Sequence, residues 1–139
     1  MILVIDGQGG KLGKSIIESV KQHFPTMEIM AIGTNATASG TMLRAGADHV
    51  ATGENPVIVA CRKADIIVGP IGITMADALM GEISPAMANA VASSNARRIL
   101  IPMNLCDTYV AGVKKSTGAI LEDVIEHIRM LVNGSEVSE

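Results

Sequence analysis

The residues whose types and spacing point most directly to chemistry are Gly7-Gln8-Gly9-Gly10-Lys11-Leu12-Gly13, directly after the apolar run Ile2 to Ile5 and before a helical pattern. A glycine-rich turn between a strand and a helix suits an anion. Glycine lets the chain turn tightly and lets the backbone approach a pyrophosphate, and a final glycine lets the helix pack on the sheet. The free amides and the dipole at the helix start then favour negative charge. The spacing is G-x-x-G-x-x-G with an extra glycine at position nine, closer to the extended short-chain-dehydrogenase form than to G-x-G-x-x-G. Gly13-Lys14-Ser15 also supplies the ending of a nucleotide-triphosphatase loop. That loop requires glycine where the chain has Gln8, and Gly7 stands one residue too early. Consecutive amides must cradle the phosphate, so the shift argues against a triphosphatase, as does the lack of an acid at the ends of the later apolar strands.

A dinucleotide site ordinarily places an acid after the second strand to read the ribose. Here the residues are Gly33-Thr34-Asn35, and Thr34 and Asn35 are the expected ribose contacts. NAD, NADP and a mononucleotide or other phosphorylated metabolite all stay open. Gly69, Gly72 and Asn104, each following a predicted strand, are expected to line the same pocket. Glu54 and Asp77 are the candidate general acid/base residues, being acids among apolar and glycine neighbours. A plainer reading has Glu54 favouring a helix start and Asp77 solvated. Cys106 has no helpfully placed histidine, and His23, His49 and His127 lack ligand spacing, so no metal site is assigned.

These residues need a scaffold that gathers strand ends. Short apolar runs alternate with helical stretches, which signals a parallel sheet covered on both faces. Strands are expected at Ile2 to Ile5, Glu28 to Ile32, His49 to Ala51, Asp65 to Gly69 and Arg98 to Met103. The first helix carries Leu12, Ile16, Val20 and Phe24 on one face and stops at Pro25. A short helix spans Thr37 to Ala45. Asn55-Pro56 reads as a cap and first turn, so Val57 to Cys61 is assigned to a helix despite its β-branched residues, because the strand after it needs a crossover. Ser84-Pro85 repeats that signature. Ser116 or Thr117 caps a last helix with Leu121, Val124, Ile125, Ile128 and Val132 inward, ended by Gly134. The expectation is one domain over residues 1–134 and a frayed tail over 135–139.

Composition narrows the function classes. The 139 residues carry a formal charge of −3, scattered cations, and one Phe and one Tyr, so neither a basic stripe nor stacking platforms exist for nucleic acid. No apolar run is long enough to span a bilayer and the start lacks a basic leader, which predicts a cytoplasmic protein without a membrane partner. Cys61 and Cys106 are far apart and read as reduced thiols. With so few aromatics, nine methionines help fill the core. The Met-rich Pro70 to Met87 stretch, with Ile73, Met75, Leu79 and Met80, is a candidate homo-oligomer contact.

Ile5-Asp6-Gly7-Gln8-Gly9-Gly10, Ala51-Thr52-Gly53-Glu54-Asn55, Gly69-Pro70-Ile71-Gly72 and Ile101-Pro102-Met103-Asn104 together resemble an uncharacterised family of small proteins from anaerobic bacteria, catalogued as a domain of unknown function. The resemblance covers nearly the whole chain. It implies a Rossmann-like fold and brings no activity. A further glycine is common in that family where this chain has Lys11, which makes the loop bulkier here. Together these readings predict a three-layer Rossmann-like α/β domain with a mostly parallel sheet of about five strands. The expected partner is a small phosphate-containing ligand, with NAD(P) or another nucleotide as the cofactor class. The alternatives are a small enzyme acting on a phosphorylated metabolite and an oligomeric scaffold or regulatory subunit.

Overall fold

The computed structural model describes residues 1–103, 107–113 and 116–134. Its strands are β1 (Ile2–Asp6), β2 (Ile29–Gly33), β3 (His49–Thr52), β4 (Ile66–Pro70) and β5 (Arg97–Ile101). Its helices are α1 (Lys11–His23), α2 (Ala36–Arg44), α3 (Glu54–Cys61), α4 (Pro85–Ala92) and α5 (Thr117–Val132), with a 3-10 turn at Ile71–Thr74. The five strands form one parallel sheet in the order β3-β2-β1-β4-β5. The chain builds outward from β1 to β3, then crosses back to place β4 on the other side of β1. The reversal leaves a crevice at the carboxyl ends of β1 and β4, where open α/β sheets bind ligands.

Alternation along β1 divides the core. Ile2 and Val4 pack with Ile16, Ile17 and Val20 of α1, Met42 of α2, and Val124, Ile125 and Ile128 of α5. Leu3 and Ile5 pack on the opposite face with Val57 of α3 and Met87 and Val91 of α4. All five residues of β1 are buried, as a central parallel strand covered on both faces requires. Each such apolar side chain contributes about 1.5–3 kcal/mol on burial.

The helix ends refine the sequence reading. α1 stops at His23 before Pro25, and Ser84 and Ser116 cap α4 and α5, accepting from Met87 N and Ala119 N. Val57 to Cys61 is helical. Burial of Val57, Ala60 and Cys61 on the crossover face outweighs the few tenths of a kcal/mol by which each β-branched residue disfavours helix. Asn55 is not the cap of that helix. Gly53, with φ +100°, precedes the first helical residue, so Asn55 lies one residue inside. On α5 the buried stripe is Val124, Ile125 and Ile128. Val132, expected on the inner face, is 50% exposed at the last turn. Residues 135–139, expected to fray, lie outside the described residues.

Candidate functional site

β1 delivers Asp6 to the base of the glycine loop, and Asp6 organises the loop from beneath. Its Oδ1 accepts from Gly7 N at 2.8 Å and its Oδ2 from Gly13 N at 2.7 Å, so one buried carboxylate pins both ends of the loop. Burial pushes the Asp6 carboxyl above its usual range. The two amide bonds pull it down, and the nearby Glu82 carboxylate pushes it up again. Gly10 N donates to Gly7 O at 3.0 Å, and Lys14 N to Gly10 O at 2.9 Å begins the helix. Ser15 donates its hydroxyl to Lys11 O at 3.2 Å, within α1, so the Gly13-Lys14-Ser15 triplet belongs to the helix body.

The four glycines of the loop do different jobs. A Cβ on Gly7 would lie 2.6 Å from Thr34 Oγ1. One on Gly10, whose φ is +78°, would lie 2.9 Å from the Ala38 backbone of α2. One on Gly13 would lie 2.5 Å from Met42 Sδ. These three are required by packing. Gly9 is exposed, its φ lies outside the left-handed region, and a Cβ there would meet nothing within 4 Å. Among the described residues, the N–H groups of Gly9, Lys11 and Leu12 donate to no protein group. They form the outer rim of the helix start, and free amides at a helix start are the kind of donor that suits an anion.

The end of β2 meets this loop through Thr34 and Asn35. Thr34 N donates to Asp6 O at 3.0 Å. Asn35 caps α2, accepting from Ala38 N at 2.8 Å, and its amide donates to Gln8 O at 3.0 Å. An acid that sequence reasoning missed joins them. Glu82 Oε1 accepts from Thr34 Oγ1 at 2.6 Å, from Asn35 Nδ2 at 2.6 Å and from Gln8 N at 3.0 Å. Burial raises the Glu82 carboxyl, but these three bonds outweigh it and hold it below the ordinary range. The carboxylate that β2 lacks locally is therefore supplied from the segment before α4. The signal for it was the gap itself: strong donors after β2 with no local acid, and an unassigned acid next to the Ser84-Pro85 cap.

The remaining expected residues fall into three groups. Gly69 lies within β4 and lets that strand close against Ile5 O of β1, which is a reason internal to the sheet. Gly72, in the 3-10 turn, faces Ala78 and Leu79. Leu79 also lies 3.0 Å from a Cβ placed on Gly7, so this side chain sits between the ends of β1 and β4. Glu54 accepts from Ser84 Oγ at 2.5 Å, joining the starts of α3 and α4, and Asp77 is exposed with φ 65°. Neither shares a hydrogen bond with the loop among the described residues. Asn104 and Cys106 lie outside the described residues. Among the described residues no group of three His, Cys, Asp or Glu side chains is placed to hold a metal, and no helix is long and apolar enough to cross a membrane.

Residues 1–133 match the family described as Domain of unknown function (DUF3842). The chain belongs to this family. Among solved structures, the DUF3842 chain is similar to a dodecameric FMN-dependent UbiX-like decarboxylase from Escherichia coli O157:H7. The TM-score is 0.53 and the identity 15%, covering 98% of this chain and 96% of that one. At that identity the likeness establishes the fold. Curated proteins give no match to the DUF3842 chain.

Proposed function

We propose that this chain binds the phosphate of a nucleotide or dinucleotide on the rim of the Gly7 to Gly13 loop. The amides of Gly9, Lys11 and Leu12 serve as donors, and the Thr34–Asn35 end of β2 faces the ribose. Gly72 completes the pocket wall, and Gly69 shapes the sheet beneath it. The observation that carries this reading is Gly9. Packing or backbone conformation accounts for the other three loop glycines, whereas the missing side chain at Gly9 leaves space only toward solvent, beside unpaired amides. A bare backbone there admits a phosphate oxygen to hydrogen-bond distance. The exposed Lys11 adds positive charge at the same rim. The likeness to an FMN-dependent enzyme supports the reading, since FMN is itself a phosphate ester. NAD(P) fits the same loop and is the second ligand class to test.

The proposed unit is a single domain over residues 1–134 acting as a homo-oligomer. Met80, 92% exposed at the tip of the segment before α4, is the leading contact residue, and the structural neighbour is dodecameric. Of the other apolar residues expected in that contact, Ile73 is fully buried and faces the core instead.

Isothermal calorimetry with FMN, AMP, ATP, NAD(H) and NADP(H) tests the binding reading. At least one of them is expected to bind with heat that vanishes on competition with excess pyrophosphate. No heat from any of the panel sinks the proposal.

A further inference from the structure

The Thr34–Asn35 donors expected to face the ribose, and the Gln8 amide beside them, are already occupied, whereas the rim amides of Gly9, Lys11 and Leu12 are not. Gln8 N, Thr34 Oγ1 and Asn35 Nδ2 all donate to one oxygen, Oε1 of Glu82. The same segment places Leu79 between Gly7 and Gly72, over the crevice where β1 and β4 diverge. It thus crosses the carboxyl edge of the sheet from β4 toward β2, the track along which a nucleotide on this fold would lie. We propose that residues 75–83 are a self-blocking strap, in which the Glu82 carboxylate stands in for the anionic ligand and must leave Gln8, Thr34 and Asn35 before a nucleotide can engage them. This inference rests on the nucleotide-binding reading of the loop.

The build of the strap suits a latch. It is anchored at its end by Ile83 and just before its start by Ile73, both buried in the core. Between them the chain closes on itself through Asp77 N to Ile83 O at 2.7 Å, Gly81 N to Asp77 O at 3.0 Å and Ile83 N to Ala78 O at 3.2 Å. Asp77, Leu79 and Met80 all have positive φ, at 65°, 54° and 57°, a conformation that side-chain-bearing residues adopt rarely and that surrounding structure must impose. The strap is therefore held in place by its anchors and by the Glu82 contacts. Glu82 itself is half-buried, so its side chain can swing to water while Ile83 stays seated. Charge works in the same direction. Glu82 lies close enough to raise the Asp6 carboxyl, so in the closed arrangement two acids flank the loop from above and below. An incoming phosphate meets less repulsion once Glu82 has moved.

The test uses the full chain, ADP and pyrophosphate as probes, and the variants Glu82→Gln and Glu82→Asp. Glu82→Gln removes the charge and keeps the shape, and Glu82→Asp keeps the charge on a side chain too short to hold all three donors. Backbone amide spectra establish that each variant is folded. Both variants are expected to bind ADP and pyrophosphate at least tenfold more tightly than the wild-type chain. In the wild type, the Glu82 carboxyl carbon is expected to titrate below the ordinary range without ligand and within it when ADP saturates. If wild type and variants bind ADP equally, or if Glu82 keeps its lowered titration with ADP bound, the strap is overturned while the binding reading stands. Weaker binding by the variants makes Glu82 a ligand contact and also overturns it. Binding by none of the three proteins removes the nucleotide reading, and the strap with it.

Discussion

Replacing Gly9 by alanine separates a glycine kept for a ligand from one kept for the fold. A Cβ at Gly9 meets nothing within 4 Å and its φ lies outside the left-handed region, so the folded chain accommodates alanine without strain. Alanine also narrows the unfolded ensemble, which stabilises by about 0.4–1 kcal/mol at compatible sites. The neighbouring Gly10→Ala is the opposite case. Its φ of +78° costs an L-residue about 1–2 kcal/mol. The contact at 2.9 Å with the Ala38 backbone cannot be relieved by a rotamer change and adds overpacking of about 1–3 kcal/mol. Urea unfolding should therefore find Gly9→Ala as stable as wild type or slightly more so, and Gly10→Ala less stable by roughly 2–5 kcal/mol, the sum of those two terms. Binding should order them differently. A methyl group on the rim holds a phosphate oxygen away from the Gly9 and Lys11 amides. Loss of a charge-assisted hydrogen bond is worth about 1.5–3 kcal/mol, on the order of a tenfold to hundredfold loss of pyrophosphate or ADP affinity by calorimetry. A Gly9→Ala chain that is fully stable and binds as well as wild type would refute the assignment of Gly9 to the ligand, and with it the main support for a phosphate site on this rim.

Four further outcomes are expected. Asp6 has a raised carboxyl, so its contribution to stability is fully present below about pH 3.9 and is lost as pH rises through its folded value. The stability of Asp6→Asn relative to wild type should therefore increase with pH above about 4 in urea titrations, and a difference independent of pH contradicts this. Glu82 has the opposite sign, stabilising above about pH 4.3 and losing that contribution as pH falls through its lowered value, so Glu82→Gln should flatten the acid limb of the unfolding curve. Ser84→Ala removes both the α4 cap and the partner of Glu54 and should lower stability by about 1 kcal/mol without changing pyrophosphate binding. Met80→Lys should shift the light-scattering mass toward the monomer, and a wild-type chain that is monomeric at high concentration removes the proposed contact.

The fold was legible because its signals are local. Ile2 to Ile5 is a run that only a doubly covered strand buries, and Ser84-Pro85 and Ser116 carry their cap chemistry within three residues. Where local signals conflicted, topology decided. Val57 to Cys61 has strand-like residues, yet β4 pairs directly with β1 in parallel, and a parallel neighbour needs a crossover that these residues supply. Asn55 is not the cap because Gly53, which follows β3 with φ +100°, starts the helix earlier.

The site was legible only in part, since its decisive acid is not local to anything it touches. Glu82 lies 74 residues from Gln8, so no spacing rule that starts from the glycine loop reaches it. What can be read is the deficit. Thr34 and Asn35 follow β2 with half-buried hydroxyl and amide donors, Gln8 presents a backbone donor beside them, and one well-placed acceptor can satisfy all three. After β2 the sequence offers Thr34 and Asn35 where a dinucleotide site ordinarily carries an acid. The structure shows that the position is filled by Glu82, carried in on a segment whose left-handed Asp77, Leu79 and Met80 no propensity would place there. The same carboxylate cannot both hold those donors and leave them free for a ribose and phosphate. On the proposed nucleotide reading, the identity of the ligand is therefore bound to where Glu82 goes when it arrives.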